Sequence, residues 1–551
     1  MTNQLPGEVE VLVVGYGPVG AAVACLLGQY GVRTLVIDKA RDIFMAPRAI
    51  ALDNEALRIL QLVGLSDAAF AKVAIPYVRM RCPMVGDFGR IDSSGTIDDH
   101  PKLVTFYQPE LERALRKEAQ RHASVTAATG VELVRFVDGD GAIRAVVRTD
   151  DGVEQTIRAR YMVGADGACS KVRAAIGQEL PGKTYPQDWL IVDARGAASD
   201  IDHVEFLCDP RRPTPHMPAP GGRTRWEFML QPGETREEME RDETIRRLLA
   251  PWADGREMQI ERKAVYRFHA RCCERFSRGS VFLVGDAAHL TPPFVGQGLV
   301  AGLRDAANLS WKLAWVLRGR AGAPILETYD QERRPHALKM ITLARHMGQL
   351  IMPRNALMAV LVHGTLKLAR SFSAVRKFFD GLGMKPKPVF ARGLFVKGRD
   401  GRLCRGGLLP QVRVRTPAGD VVRSDDVLGP HLALVGFGAD AQAHLDAATR
   451  RRWEELGGRA LTLVAKDEAV QRPDSFAIVD GEITWREGWC AVVRPDRTIL
   501  HDGPAADAQR VLTETMLLLG AATAGCRKGV HEPSEVPTRE TSTSTFNPTG
   551  S

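Results

Sequence analysis

Val9-Glu10-Val11-Leu12-Val13-Val14-Gly15-Tyr16-Gly17-Pro18-Val19-Gly20 decides the fold. An apolar strand over Val9–Val14 runs into Gly-x-Gly-x-x-Gly, then into a helix over Pro18–Tyr30 and a second strand over Thr34–Asp38. Gly15 allows the tight turn. Gly17 lets the backbone approach a pyrophosphate, and Gly20 lets the helix pack close to the sheet. The helix N-terminus, opening at Pro18 and Val19, then faces phosphates with its partial positive charge. Leu35-Val36-Ile37-Asp38 closes the second strand with an acid placed to accept hydrogen bonds from a ribose, with Lys39 beside it. The pattern predicts a Rossmann-like α/β fold holding a dinucleotide. It does not by itself separate FAD from NAD.

Two further strand-to-turn junctions follow. Arg158–Gly164 is an apolar strand ending in Ala165-Asp166-Gly167-Ala168-Cys169-Ser170-Lys171-Val172-Arg173. Ser280–Gly285 is another; it runs through Gly285-Asp286-Ala287-Ala288-His289 into Pro292-Pro293-Phe294-Val295-Gly296-Gln297-Gly298. A helix follows, with Leu309, Leu313 and Val316 on one face.

Three such junctions in this order resemble the class A flavoprotein aromatic hydroxylases, the p-hydroxybenzoate hydroxylase superfamily. The resemblance implies that the first motif binds the ADP part of FAD and that Asp166 belongs to a motif shared by FAD and coenzyme. It implies that Gly285 and Asp286 hold the ribityl chain, and that Gly296, Gly298, Leu299 and Val300 line the flavin ring. Charge agrees: reduced flavin is negative near N1 and O2, and a helix starting after Gly298 aims N–H groups at that charge. Met45-Ala46-Pro47-Arg48-Ala49 resembles the loop whose Arg touches FAD, and Tyr107-Gln108-Pro109-Glu110-Leu111-Glu112 the segment whose Gln approaches it.

The run Pro47–Arg58 resembles the 3-(3-hydroxyphenyl)propionate / 3-hydroxycinnamate hydroxylase subfamily. So do Phe268-His269-Ala270-Arg271, Thr291–Gly298 and Arg304-Asp305-Ala306-Ala307-Asn308-Leu309. Many relatives carry Asn where this chain has Val300; the subfamily also lacks it. The resemblance implies hydroxylation of a small phenolic acid to a catechol, with O2 and NADH (or NADPH) as transient co-substrate. Only one complete nucleotide fingerprint is present, so the coenzyme has no Rossmann domain of its own. Expected at the chemistry are Pro293 and Phe294 as walls, His289 or His269 as movers of the phenol proton, and Arg223 or Arg225 as forks for a substrate carboxylate. A hydroxylase of another phenol or polyketide, a flavin oxidase or dehydrogenase, and a non-catalytic FAD-binding protein are the competing readings.

The expected organisation is an FAD-binding part over 1–177, an inserted mostly β substrate domain over 178–275, and a second FAD-binding part with helices over 276–397. Region 408–529 resembles the thioredoxin-like appendix of larger relatives. Lacking Cys-x-x-Cys, it suits a structural or homo-oligomer-forming role rather than thiol redox work. Region 530–551, poor in apolar residues, reads as a disordered tail.

The 551 residues suffice for two to four domains, and 44% hydrophobic with 25% charged residues is ordinary for a globular chain. Net charge is +8, spread along the chain, with no zinc-finger spacing or basic tract to suggest nucleic acid. The nine cysteines are scattered without metal spacing, so reduced thiols and no metal are expected. Met1–Glu10 lacks signal-peptide zones and no apolar run reaches membrane-spanning length, which together predict a cytoplasmic protein without a membrane partner.

Overall fold

The computed structural model describes residues 5–46, 48–197, 201–380, 385–398, 403–466, 472–481 and 483–520. Cys526 and the tail expected over 530–551 lie outside them. Strand Glu8–Val14 pairs in parallel with Thr34–Asp38 on one side and Glu154–Gly164 on the other. Val14 stands level with both Ile37 and Gly164, so three strands finish at one edge and their turns converge there. Gly15 has φ +103, and a Cβ on it would lie 2.4 Å from the Ala165 carbonyl oxygen. Any side chain here would push the first two junctions apart. Val125–Thr129, Ala142–Thr149, Val131–Gly139, Ser277–Arg278 and Val281–Leu283 complete this eight-stranded sheet.

A second sheet, also eight-stranded, runs in the order His289–Leu290, Gln259–Cys272, Gly182–Arg195, Arg223–Met229, Thr214–Ala219, Val204–Leu207, Tyr77–Cys82, Gly86–Asp92. The expectation that the inserted β region begins at 178 is therefore too narrow. Tyr77–Cys82 pairs in parallel with Val204–Leu207, a long-range pairing that leaves no local mark in the sequence. Alternation sorts the two faces of this sheet. Leu190, Val192, Trp226 and Phe228 enter one core with Ile245 and Leu249 of the helix Asp242–Ala253. Ile191, Asp193, Arg225 and Glu227 fall on the opposite face.

The long helix Gly298–Leu317 packs beside Pro18–Gln29 and is buried along nearly its whole length. Glu327–Ile351, Ala356–Ala369 and Ser373–Asp380 follow as three helices. The chain between the first two of them turns at Pro353, and the Asn355 side chain caps the next helix by accepting from Met358 N–H at 2.9 Å.

A third, seven-stranded sheet has Leu432–Phe437 at its centre, parallel to Gly458–Val464 and antiparallel to Trp489–Val493. Leu432 and Leu434 join the main core, while Ala433, Val435 and Phe437 build a separate one. This sheet is thus covered on both faces. Among the described residues the cysteines are free, no group is arranged to hold a metal, and no helix is long and apolar enough to cross a membrane.

Candidate active site

A cavity of about 510 Å³ lies where the turns of the first sheet meet the second. At one end it is lined by Gly17, Pro18 and Val19, at the start of the helix Pro18–Gln29. Gly17 is extended, with φ −70, and a Cβ on it would meet nothing within 4 Å. Gly20 is the reverse: its Cβ would sit 1.9 Å from the Gly15 carbonyl oxygen. One glycine keeps space open and the other closes the fold.

Further in, the cavity is bordered by Arg48, Gln108, Asp286 and the run Pro293–Leu299. The Arg48 guanidinium lies 3.7 Å from the Asp286 carboxylate and 5.5 Å from the Tyr266 ring centroid. Gln108 Oε1 accepts the Ala49 N–H at 3.1 Å, tying the Arg48 loop to the helix Gln108–Ala119. A short 3-10 turn over Pro293–Val295 delivers the chain to Gly296, φ +63, and then to the helix at Gly298. The Gln297 carbonyl accepts from Ala301 N–H at 3.0 Å, which leaves the amides of Gly298, Leu299 and Val300 without intrahelical acceptors. No side chain caps them.

Beneath this loop is a buried ionic cluster. Lys385 Nζ lies 2.8 Å from both Asp53 Oδ2 and Glu55 Oε1. Arg304 reaches Glu55 at 2.7 Å and Asp53 at 3.1 Å, and Gln297 Nε2 donates to Asp53 at 3.0 Å. Burial pushes the Asp53 and Glu55 carboxyls up; Lys385 and Arg304 outweigh it and hold both below the usual carboxylate range. Two acids and two bases balance, and the cluster fixes Gln297 directly before the helix start.

A second lobe is mostly apolar: Val78, Ile91, Leu103, Val204, Phe206 and Met217, several of which share one small core. Its polar members are Ser93, Lys102 and Glu227. Phe294 also lines the cavity, 4% exposed, with its ring centroid 5.9 Å from those of Trp189 and Phe268 and 5.8 Å from Tyr185.

Residues 8–344 match the FAD binding domain family and residues 406–517 the HcaD C-terminal domain. The chain belongs to the class A flavoprotein hydroxylases. This hydroxylase is 37% identical over 513 residues to the 3-(3-hydroxy-phenyl)propionate/3-hydroxycinnamic acid hydroxylase of Burkholderia cenocepacia, spanning 90% of this chain and 94% of that one. It is 32% identical over 508 residues to the Escherichia coli protein of the same name, spanning 89% and 91%. Its fold is similar to that of the flavin-dependent monooxygenase PieE, solved with FAD and substrate: TM-score 0.78 at 20% identity, covering 94% of this chain and 99% of that one.

The hydroxylase's residues fit FAD. The open space over Gly17, the uncapped helix start at Gly298, where a Cβ would also meet nothing within 4 Å, and the ion-paired Arg48 and Asp286 border one continuous cavity. Among the residues expected at the cofactor, Gly17, Pro18, Val19, Arg48, Gln108, Asp286, Pro293, Gly296, Gly298 and Leu299 line it. Gly15, Gly20 and Gly285 shape the turns behind. Asp38 accepts from Tyr16 N–H at 2.7 Å and Ala40 N–H at 2.8 Å, while Lys39 is exposed at the side. Asp166 caps its own turn, accepting from Ser170 Oγ at 2.5 Å and Val172 N–H at 3.1 Å. Val300 is buried inside the helix and does not line the cavity.

The expected substrate residues fare differently. Arg225 is buried in a two-pronged pair with Asp193, at 2.6 and 2.9 Å, and donates to the Arg48 carbonyl at 3.1 Å. Arg223 is paired with Glu261 and lies 4.7 Å from the Tyr107 ring centroid. Both forks already hold protein carboxylates, and neither lines the cavity. His289 is 1% exposed with Nε2 2.7 Å from Asp305, which also accepts from Gly285 N–H at 3.0 Å and Arg333 at 2.8 Å. It braces the Gly285 turn from behind and does not reach the cavity. His269 does line it, with Nδ1 3.1 Å from Thr184 Oγ1; burial, then Arg271, Arg48 and Arg267, push its pKa down. Sequence reasoning missed Lys385, together with Asp53, Lys102 and Glu227. A lysine in a Lys-Pro-Lys-Pro run carries no local sign of the buried acids it will meet.

Proposed function

We propose that this enzyme hydroxylates 3-(3-hydroxyphenyl)propionate and 3-hydroxycinnamate to their 2,3-dihydroxy products, using NADH and O2, in the cytoplasm. The observation that carries the substrate class is the apolar lobe with Lys102 on its wall. Of the cations lining the cavity, Arg48 faces Asp286, Arg267 faces Asp188, and Lys385 faces Asp53 and Glu55. Among the described residues Lys102 makes no ion pair. A ring with a carboxylate arm suits such a lobe: apolar walls for the ring, an uncommitted ammonium for the acid. The names of the relatives support the same class.

The chemistry supplied by bound FAD is hydride acceptance from NAD(P)H and activation of O2 for transfer of one oxygen atom. Gly17 and the helix behind it would hold the pyrophosphate, Asp286 and Arg48 the middle of the cofactor. The amides of Gly298, Leu299 and Val300 would face the ring edge that becomes negative on reduction. Phe294, Phe268 and Pro293 keep water from the reacting atoms.

The finer architecture belongs to the same reading: FAD-binding parts over 1–177 and 276–397 around an inserted region over 178–275, whose sheet also takes in Tyr77–Cys82, Gly86–Asp92 and His289–Leu290, and a thioredoxin-like unit over 408–529. The parallel pairs of Leu432–Phe437 with Gly458–Val464 and of Gly458–Val464 with Ser475–Asp480, plus an antiparallel edge, support the last.

The test is NADH oxidation, O2 uptake and product identification with 3-(3-hydroxyphenyl)propionate, resorcinol and a polycyclic quinone. A catechol from the first is expected. A catechol from another phenol but none from the first overturns the substrate; turnover without NAD(P)H overturns the monooxygenase cycle. Lys102→Met is expected to raise KM for the phenolic acid about 10- to 100-fold with kcat little changed, the size of one charge-assisted contact. The same variant should treat 3-ethylphenol as wild type does. An equal loss on both substrates would show that Lys102 holds the lobe together rather than the acid.

A further inference from the structure

Glu227 is a buried carboxyl that no protein group satisfies. It lies in the strand Arg223–Met229 beside Ile191 and is 7% exposed, the exposed part facing the cavity with Ile191, Pro215 and Met217. Among the described residues its carboxyl makes neither an ion pair nor a side-chain hydrogen bond. The other acids of the cavity wall are answered: Asp53 by Lys385 and Arg304, Asp286 by Arg48. The cations nearest Glu227 are Arg225 on its own strand and Arg262 on Gln259–Cys272, and both are taken by Asp193, at 2.6 and 3.2 Å. On the neighbouring strand Thr214–Ala219, His216 packs against Trp252 with ring centroids 5.4 Å apart. Burial pushes the Glu227 carboxyl above its ordinary range; Arg225 and Arg262 pull it down and Asp193 pushes it up.

A buried polar group left without a partner is costly. Native proteins hold few of them, and those that persist at a cavity wall face what the cavity binds. The group missing from Glu227 is a hydrogen-bond donor that enters with the substrate. A substrate carboxylate cannot serve, because like charges repel in an apolar lobe. A phenol can.

Resting on the phenol reading above, we propose that Glu227 accepts the hydrogen bond of the substrate's phenolic hydroxyl and takes its proton during ring hydroxylation. The phenol O–H bond breaks, an O–H bond forms on Glu227, and the electron pair stays on the phenolate oxygen, enriching the ring for attack by an electrophile. No electron is gained or lost in this step. The proton returns to the product oxygen as the catechol forms. The carboxylate arm is turned away from Glu227, toward Lys102.

The experiment compares wild type, Glu227→Gln and Glu227→Asp as FAD holoenzymes, with FAD content and melting temperature as checks on folding. Catechol formation from 3-(3-hydroxyphenyl)propionate is followed between about pH 5 and 9, and binding of this acid and of 3-(3-methoxyphenyl)propionate by the flavin absorbance change. Wild-type kcat/KM should fall on acidification as Glu227 becomes protonated. Glu227→Gln should lose about 100-fold or more in product formation together with that acid limb. Glu227→Asp should regain part of the rate and keep the limb. Wild type should bind the phenol more tightly than its methyl ether, and Glu227→Gln should bind both alike. A Gln variant with the wild-type rate, acid limb and phenol preference overturns the assignment and leaves the substrate reading intact. A wild-type enzyme that makes no catechol from any phenol removes that reading and this assignment with it.

Discussion

Gly17→Val is expected to give a folded, colourless protein. The backbone at Gly17 is extended, with φ −70 and ψ −176, which any residue adopts, and a Cβ there would meet no atom within 4 Å. The chain itself therefore tolerates the valine, at a cost of about 1 kcal/mol for a poor N-cap residue. The space the isopropyl group fills is the approach of the pyrophosphate to the helix amides. FAD affinity should fall on the order of 100-fold or more, about 3 kcal/mol, and visible flavin absorbance should vanish from the purified protein. Gly20→Ala separates this from simple misfolding. Its Cβ would lie 1.9 Å from the Gly15 carbonyl oxygen, so the helix must move off the sheet. That variant should also lose flavin, but with a melting temperature well below wild type, whereas Gly17→Val should melt near the wild-type apoprotein. A yellow Gly17→Val would place the ADP part of the cofactor elsewhere.

The glycine turns were legible because their chemistry is local. The strand read as Thr34–Asp38 has those bounds in the structure. The apolar spacing of Leu309, Leu313 and Val316 marks only the body of the long helix; its start at Gly298 was legible through the resemblance instead. Periodicity cannot see a start made of Gly-Gln-Gly. The hairpin of Tyr77–Cys82 and Gly86–Asp92 went unread as part of the second sheet because what joins it there, the pairing of Tyr77–Cys82 with Val204–Leu207, lies in another part of the chain. At the site, the difference between cofactor and substrate residues is physical. A pyrophosphate needs bare backbone, and bare backbone is spelled by glycine. A substrate contact needs one side chain left unclaimed, and which one is unclaimed depends on every neighbour. Arg225 has the right chemistry for a carboxylate, but Asp193 on the paired strand reaches it first. Glu227, two residues along the same face, has no such neighbour.

Glu332→Ala is expected to destabilise the enzyme by about 3–5 kcal/mol, though it lies outside the cavity wall. Glu332, on the helix Glu327–Ile351, is fully buried and receives two Arg494 nitrogens at 2.7 and 2.9 Å, Lys312 at 2.7 Å, Asn308 at 2.6 Å and the Leu394 N–H at 2.7 Å. Arg494 follows the strand Trp489–Val493, so this carboxylate ties the third sheet to the helices behind the flavin site. Burial opposes its charge; Arg494 and Lys312 outweigh burial and hold it well below the usual carboxylate range. Its contribution is therefore complete above the ordinary Glu value and is lost as pH falls through the lower, folded value. Removing it leaves the two cations facing Asp496 alone, 2.5 Å from Arg494. Lys312 has a way out: burial has already pulled it down to about 8, so it sheds its proton readily. Arg494 has none. Lys312→Met should accordingly cost much less than Glu332→Ala, and Glu332→Leu combined with Arg494→Met should cost less than the sum of the two single changes. Thermal melting and protease cleavage of the C-terminal sheet would read the difference. Wild-type melting of Glu332→Ala would mean that apolar packing of Leu432, Leu434 and Val492 docks this sheet without help from the buried charges.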